Sequence, residues 1–173
     1  MAMSVTECEI PAMSVLTRNA IGDFHDCYRA PLARLDLGVV AIFFAVFGHK
    51  PLWIKLLLVI RNLVAGRAGL ETPTVADIMT PEIRAHYDVG DKIGPWPIFS
   101  IADNELIAGR NNRHMDFRLS VLKQADGDNG SVFVSTVCKV HNVYGKIYLR
   151  LIIPFHRRGM RLLMSNAVAA KRL

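Results

Sequence analysis

The chain has 173 residues, 51% of them hydrophobic, and its 21 Lys and Arg against 15 Asp and Glu leave a formal charge of +6. That length suits one domain with a core that needs neither disulfides nor metals, and the apolar fraction excludes a disordered acidic or low-complexity protein. Cys8, Cys27 and Cys138 are odd in number, far apart and without the paired spacings of zinc or thioredoxin-like motifs, so the expectation is a reducing cytosol, no metal and no cofactor.

Residues 1–20 lack the basic start and continuous apolar run of a secretory signal, because Glu7, Glu9 and Pro11 interrupt them. They are expected to form a flexible leader ahead of a single domain over 21–173. Asp23 to Ala30 alternates like a strand that Pro31 closes. Asp36 stands where it can cap a helix running to Phe47, with Gly48 at C′, and Pro51 suits the first turn of a second helix ending near Gly66. The two form a hairpin with wide apolar surfaces. Each apolar run, Leu37 to Phe47 and Leu52 to Val64, falls short of the roughly 20 residues of a spanning helix, and Gly48-His49-Lys50-Pro51 breaks between them. Buried helices are therefore expected, with peripheral membrane contact by this hairpin as an alternative role.

From Glu71 to Pro97, six Pro and Gly residues punctuate a long connection of the kind that serves as a flap. After Trp96 the period is two. Strands are predicted over Ile98 to Ala102, Leu106 to Arg110, His114 to Gln124, Ser131 to His141 and Lys146 to Ile153, joined by short turns as an antiparallel meander. Pro154 then begins a last helix, about Phe155 to Ala170, with Met160, Leu163, Met164 and Ala167 at helical spacing.

The fold class is accordingly α+β, a curved antiparallel sheet wrapped on a long C-terminal helix, with a helical hairpin inserted after the first strand. Alternation puts Phe117, Leu119, Val121, Val132, Val134, Thr136 and Cys138 on one face. It leaves Asp116, Arg118, Lys139 and Arg150 on the other, as a solvated ion-pair ladder.

His114, Asp116 and Arg118 have the spacing of an acid–base pair on a strand, but the ladder is the expected reading. Asp26 and Tyr28 share a face with Phe24 and are expected to point inward, where they can orient the polar end of a ligand or be satisfied internally. Thr136 and Asn142 are inward candidates of the same type. Cys27 with His25 or His141 lacks a third orienting group for nucleophilic catalysis. Asp126-Gly-Asp-Asn-Gly130 lacks the closing glutamate and turn glycine of a calcium loop and reads as a hairpin turn. No acid follows Asp128, so the stretch after it carries +8, leaving −2 for the residues up to it. Arg157 and Arg161 lie in the early turns of the last helix, where an anion is favoured. Nucleic acid is not expected, since neither an aromatic platform nor a recognition motif accompanies the charge.

At His114-Met-Asp-Phe-Arg118, Val140-His-Asn-Val-Tyr-Gly145 and Ile153-Pro-Phe-His-Arg157, extended by Trp53 and Arg61-Asn62, the chain resembles a bacterial family known as domain of unknown function 2867. Members of that family occur alone or behind NAD-binding epimerase-like domains, which implies small-molecule metabolism. The chain has no glycine-rich dinucleotide fingerprint after a strand, so no dinucleotide activity is implied. The element order also resembles the helix-grip arrangement of the START-like superfamily, with one meander strand fewer. A further strand in the Glu71 to Pro97 connection, or a different fold, would account for it.

The leading expectation is a binding domain that holds a small apolar or amphipathic molecule between sheet and last helix, through Asp26, Tyr28, Thr136, Asn142, Arg157 and Arg161. A polyketide-cyclase- or hydratase-like enzyme in the same cavity, and a peripheral membrane or protein-interaction domain, are the alternatives. Oligomeric state is left open.

Overall fold

The computed structural model describes residues 5–19, 22–52, 54–56, 58, 59, 62, 83–127 and 129–173. Its elements in chain order are β1 (Thr6–Glu7), α1 (Val15–Asn19), β2 (Phe24–Leu32), α2 (Val39–Phe47), β3 (Lys92–Ile93), β4 (Trp96–Ile101), β5 (Glu105–Arg110), β6 (Met115–Asp126), β7 (Asn129–Val140) and α3 (Val143–Ala169). The strands form one antiparallel, open and curved sheet in the order β1-β2-β7-β6-β5-β4-β3. With α2 and α3 on one face, this is an α+β fold consistent with a helix grip. Two strands are absent from the sequence reading: β1, within the expected leader, and β3, within the Glu71 to Pro97 connection, which pairs with β4 across the tight turn at Gly94, where φ is +55°.

Three local expectations are corrected. Pro31 does not close the first strand; β2 runs on to Leu32, with Pro31 opposite Ser131. Asp36 does not cap α2, whose N-cap is Gly38 with no side-chain hydrogen bond. Asp36 instead pairs with Arg34 at 2.9 Å, which holds its carboxyl below the ordinary value. Gly48 ends α2 in right-handed rather than left-handed conformation. Of the second predicted helix, the described residues between Leu52 and Asn62 are helical; Trp53, Arg61 and the stretch from 63 to 82, with the first part of the predicted flap, lie outside the described residues.

A larger correction concerns Lys146 to Ile153, which is helix, not strand: α3 runs unbroken for 27 residues through Pro154. The alternation of that segment is genuine, but β7 already has β2 on one edge and β6 on the other, so no free edge next to β7 can receive it. Asn142, in extended conformation, starts the helix by accepting from the Gly145 N–H at 3.1 Å. A side chain on Gly145 would collide with the His114 carbonyl, so its glycine lets the first turn sit directly on the start of β6.

The core lies between sheet and helices. Tyr28, Ala30, Leu32, Leu119, Val121, Val132 and Val134 meet Ile42, Phe43 and Val46 of α2 and Met160, Leu163 and Met164 of α3. Each buried Val, Leu, Ile, Phe or Met side chain among them contributes about 1.5–3 kcal/mol. The opposite face is not the solvated ladder expected. Asp116 meets His141 at 3.1 Å and Arg118 stacks over Phe99, while Arg150 is on α3 and off the sheet altogether. Towards its middle this face is apolar, with Cys27, Leu122, Phe133, Ile107 and Val137, and the segment expected as a loose leader covers it through Cys8, Ile10 and Leu16. Glu105 fastens that cover: its buried carboxylate accepts from Ser14 Oγ at 2.5 Å, Ser120 Oγ at 2.6 Å and the Val15 N–H at 2.8 Å.

Replacing Glu105 by Ala leaves those donors buried without an acceptor, and urea unfolding should show a loss of roughly 3 kcal/mol. Amide exchange over residues 14–17 should then accelerate, whereas Ser120→Ala, which removes one of three donors, should cost about 1 kcal/mol. A second expectation concerns Lys50, whose ammonium is pushed down to about 8 by burial and then by Lys55. Its charged form is penalised only in the folded state, so stability should rise as pH climbs from about 8 to the ordinary 10.5. Lys50→Met should remove that slope and raise stability at pH 7 by roughly 1 kcal/mol, as followed by thermal unfolding.

Candidate functional site

Strand periodicity places Phe24, Asp26 and Tyr28 of β2 on the face that α3 covers, and antiparallel register sets Thr136 of β7 opposite Asp26 and Cys138 opposite Phe24. The result is a polar cluster inside an apolar layer. Asp26, Tyr28 and Thr136 are at least nine-tenths buried. Asp26 Oδ2, Tyr28 Oη and Thr136 Oγ1 have no hydrogen-bond partner among the described residues. Buried polar groups are paired in the great majority of cases, and this cluster is under-paired: the Tyr28 phenol neighbours the Asp26 carboxylate and Asp26 Oδ2 neighbours His156 Nε2, but none of the three atoms makes a hydrogen bond of good geometry.

The lid of the cluster comes from α3. His156 Nε2 lies 3.2 Å from Asp26 Oδ1, with hydrogen-bond geometry, and 3.1 Å from Oδ2, as an ion-pair contact. The imidazole packs edge-on to Phe24 and is 22% exposed, so it stands between the buried cluster and solvent. Arg157 lies over the Phe24 ring, and Arg161 lies over Tyr28 while pairing with Glu7. Burial, and next the Asp26 charge, push the Tyr28 phenol up to about 12, so it stays protonated and can donate. Burial likewise pushes the Cys138 thiol up to about 12, with Asp26 adding to it.

Two hollows bounded by described residues lie nearby. One, of about 330 Å³, is lined by Glu7, Cys8, Glu9, His25, Asp26 and Cys27. It opens where β1 ends and leaves the outer edge of β2 unpaired beyond Cys8. The other, of about 230 Å³, is apolar and lies between Pro31, Ala33, Val168 and Leu173. Between Tyr28 and α3 the space is occupied by Met160, Leu163 and Met164.

Of the six residues expected to bind a ligand, Asp26, Tyr28 and Thr136 converge, and Arg157 and Arg161 stand at the rim. Asn142 stands apart. Its Oδ1 caps α3 and lies 3.1 Å from His114 Nδ1, and its Nδ2 donates to the Arg113 carbonyl, so it joins helix to sheet. Both ends of that amide are fixed by backbone partners, which makes His114 Nδ1 the donor and leaves Nε2 to accept from Arg113 Nε at 3.1 Å. His114 is thus consumed structurally and does not act with Asp116. His156 lies inside the predicted last helix, and its spacing from Met160, Leu163 and Ala167 puts it on the buried stripe; only the packing of α3 over β2 reveals Asp26 as its partner. The loop at Asp126 is a hairpin turn with Asp126 opposite Asn129 and Gly127 at φ +57°. Among the described residues no group of three His, Cys, Asp or Glu is placed to hold a metal.

Residues 21–162 match the model of a family described as Protein of unknown function (DUF2867). No curated protein and no solved structure matches the chain.

Burial also pushes the Cys27 thiol up to about 12, with its Sγ 3.4 Å from that of Cys8. Iodoacetamide at pH 8 should therefore leave Cys27 and Cys138 of the native protein unmodified, while the urea-unfolded chain takes up three equivalents, as counted by intact mass.

Proposed function

Since the chain belongs to the family Protein of unknown function (DUF2867), whose description carries no activity, we propose from the site itself that the protein binds a small amphipathic molecule whose polar end meets Asp26, Tyr28 and Thr136 beneath α3. The observation that carries this reading is the convergence of three orphaned buried polar atoms. A buried group left wholly without a partner costs about 1–3 kcal/mol, and the poor geometry around these three leaves part of that cost in place. A ligand group that accepts from the Tyr28 and Thr136 hydroxyls and donates to Asp26 Oδ2 recovers that cost, which describes a carboxylic acid, an alcohol or an amide. The groove beside Asp26 supplies an approach, and Met160 and Met164, unbranched and adaptable, are side chains that can move aside for an apolar portion. Arg157 and Arg161 add positive charge at the rim for a ligand with an anionic group.

A second reading in the same place is a polyketide-cyclase- or hydratase-like reaction. The Asp26–His156 pair favours it, because an imidazole held by a carboxylate is a general base and the protonated Tyr28 phenol a donor. It requires Asp26 and Tyr28 both to reach the bound molecule.

Native mass spectrometry of freshly purified protein, followed by denaturing extraction, tests the binding reading. A discrete bound mass is expected, and the double variant Tyr28→Phe/Thr136→Val should lose it while unfolding no earlier than the wild type. Removing two orphaned hydroxyls relieves their burial cost, so a purely structural role predicts a variant at least as stable, by roughly 1 kcal/mol or more, with nothing bound to lose. A clean apo mass in repeated wild-type preparations, or retention of the bound mass by the double variant, defeats the proposal.

A further inference from the structure

We propose that the outward face of the first half of α3 docks on an anionic membrane surface. The helix carries three longitudinal faces. Gly145, Leu149, Met160, Leu163, Met164 and Ala167 turn inward and are buried. On the opposite side Val143, Tyr144, Ile147, Leu151 and Phe155 recur every three or four residues and are 55–74% exposed. A surface helix ordinarily presents polar residues there, and a contiguous apolar strip of about 18 Å marks an interaction site. The third face is basic. Lys146, Arg150 and Arg157, spaced four and seven apart, fall on one line between the strip and the buried side; all are exposed, and Arg158 closes the strip at its far end. No acidic residue follows Asp128 in the chain.

The occupant of such a strip has to offer apolar depth along its middle and negative charge along its border. A bilayer with anionic headgroups offers both, and a helix with this pattern lies in the interface plane with its apolar side sunk among the acyl chains. Tyr144 and Phe155 stand near the two ends, where aromatic rings favour headgroup depth. A second copy would set one basic border against another, and nucleic acid would leave the strip uncovered. The attachment is peripheral: the far side of α3 is committed to the core, and none of the described helices is long and apolar enough to cross a membrane. The surface lies on α3 and so is distinct from the helical hairpin of the sequence reading, whose first helix, α2, buries Val39, Ile42, Phe43, Ala45, Val46 and Phe47.

Flotation of the full chain with vesicles decides the matter. The wild type should float at low salt with mixed phosphatidylcholine and phosphatidylserine, float weakly in high salt, and stay down with phosphatidylcholine alone. Lys146→Glu and Arg150→Glu should each weaken binding to anionic vesicles by about five-fold or more. Leu151→Glu should abolish it at every salt concentration, and the two charge reversals keep the test independent of any effect of Leu151→Glu on folding, which circular dichroism monitors. No flotation of the wild type at low salt, equal flotation with both vesicle types, or unchanged binding of both charge reversals would overturn the proposal. So would a dimer in light scattering that Leu151→Glu dissolves, since the strip would then belong to a second copy.

Discussion

Glu105 holds a carboxylate inside the protein on the face of the sheet away from α3, and a buried charge is tolerable only when its hydrogen bonds are complete. Two of its three donors belong to the segment around α1, so the ionised side chain can be buried only if that segment folds back across the sheet. The consequence is structural. Ile107, Val137, Leu122 and Phe133 become interior, and a sheet that would otherwise expose apolar residues on one side is enclosed on both. α2 and α3 are then confined to the other face, where Tyr28, Leu119 and Val134 receive them.

The same accounting of polar groups explains the far end of the molecule. Asn142 uses both halves of its amide, one to begin α3 and one to hold the Arg113 carbonyl, while Gly145 allows backbone to approach backbone at the start of β6. Lys123 donates to the carbonyls of Leu35 and Leu37 ahead of α2, and Arg172 donates to that of Ala45. Polar groups across the fold are thus satisfied by ties between elements. Against that background the unpaired atoms of Asp26, Tyr28 and Thr136 stand out, because they lie on regular strands and under a helix that could have supplied partners.

α3 serves two surfaces at once. Its inner stripe closes the core and brings His156 to Asp26, and its outer strip of Val143, Tyr144, Ile147, Leu151 and Phe155 remains apolar in water. A helix apolar on two opposite sides with cations between them resembles neither a plain core helix nor a solvated one. The first half of the helix therefore exposes apolar side chains that the packing of the core does not use.

Much of this was legible in the residues. Period-two alternation from Trp96 onward gave four of the meander strands and their faces, and the same rule turned Asp26, Tyr28 and Thr136 inward, because side-chain direction in a strand is a local property of the backbone. The α+β class and the long C-terminal helix followed from pattern alone. What pattern could not supply was occupancy. Lys146 to Ile153 alternates well enough for a strand and became helix because both edges of β7 were already taken, which depends on β2 arriving from more than a hundred residues earlier. His156 was inside the predicted helix, but its partner Asp26 lies 130 positions away and shows only once α3 packs over β2. The N-terminal segment looked loose because its polar residues concealed that Ser14 answers Glu105, 91 positions away. Sequence determined which way each strand residue faces and how the charge is distributed along the chain; tertiary structure decided which of those faces are covered, and by what, because edge pairing and the burial of a charge are settled only between segments distant in the chain.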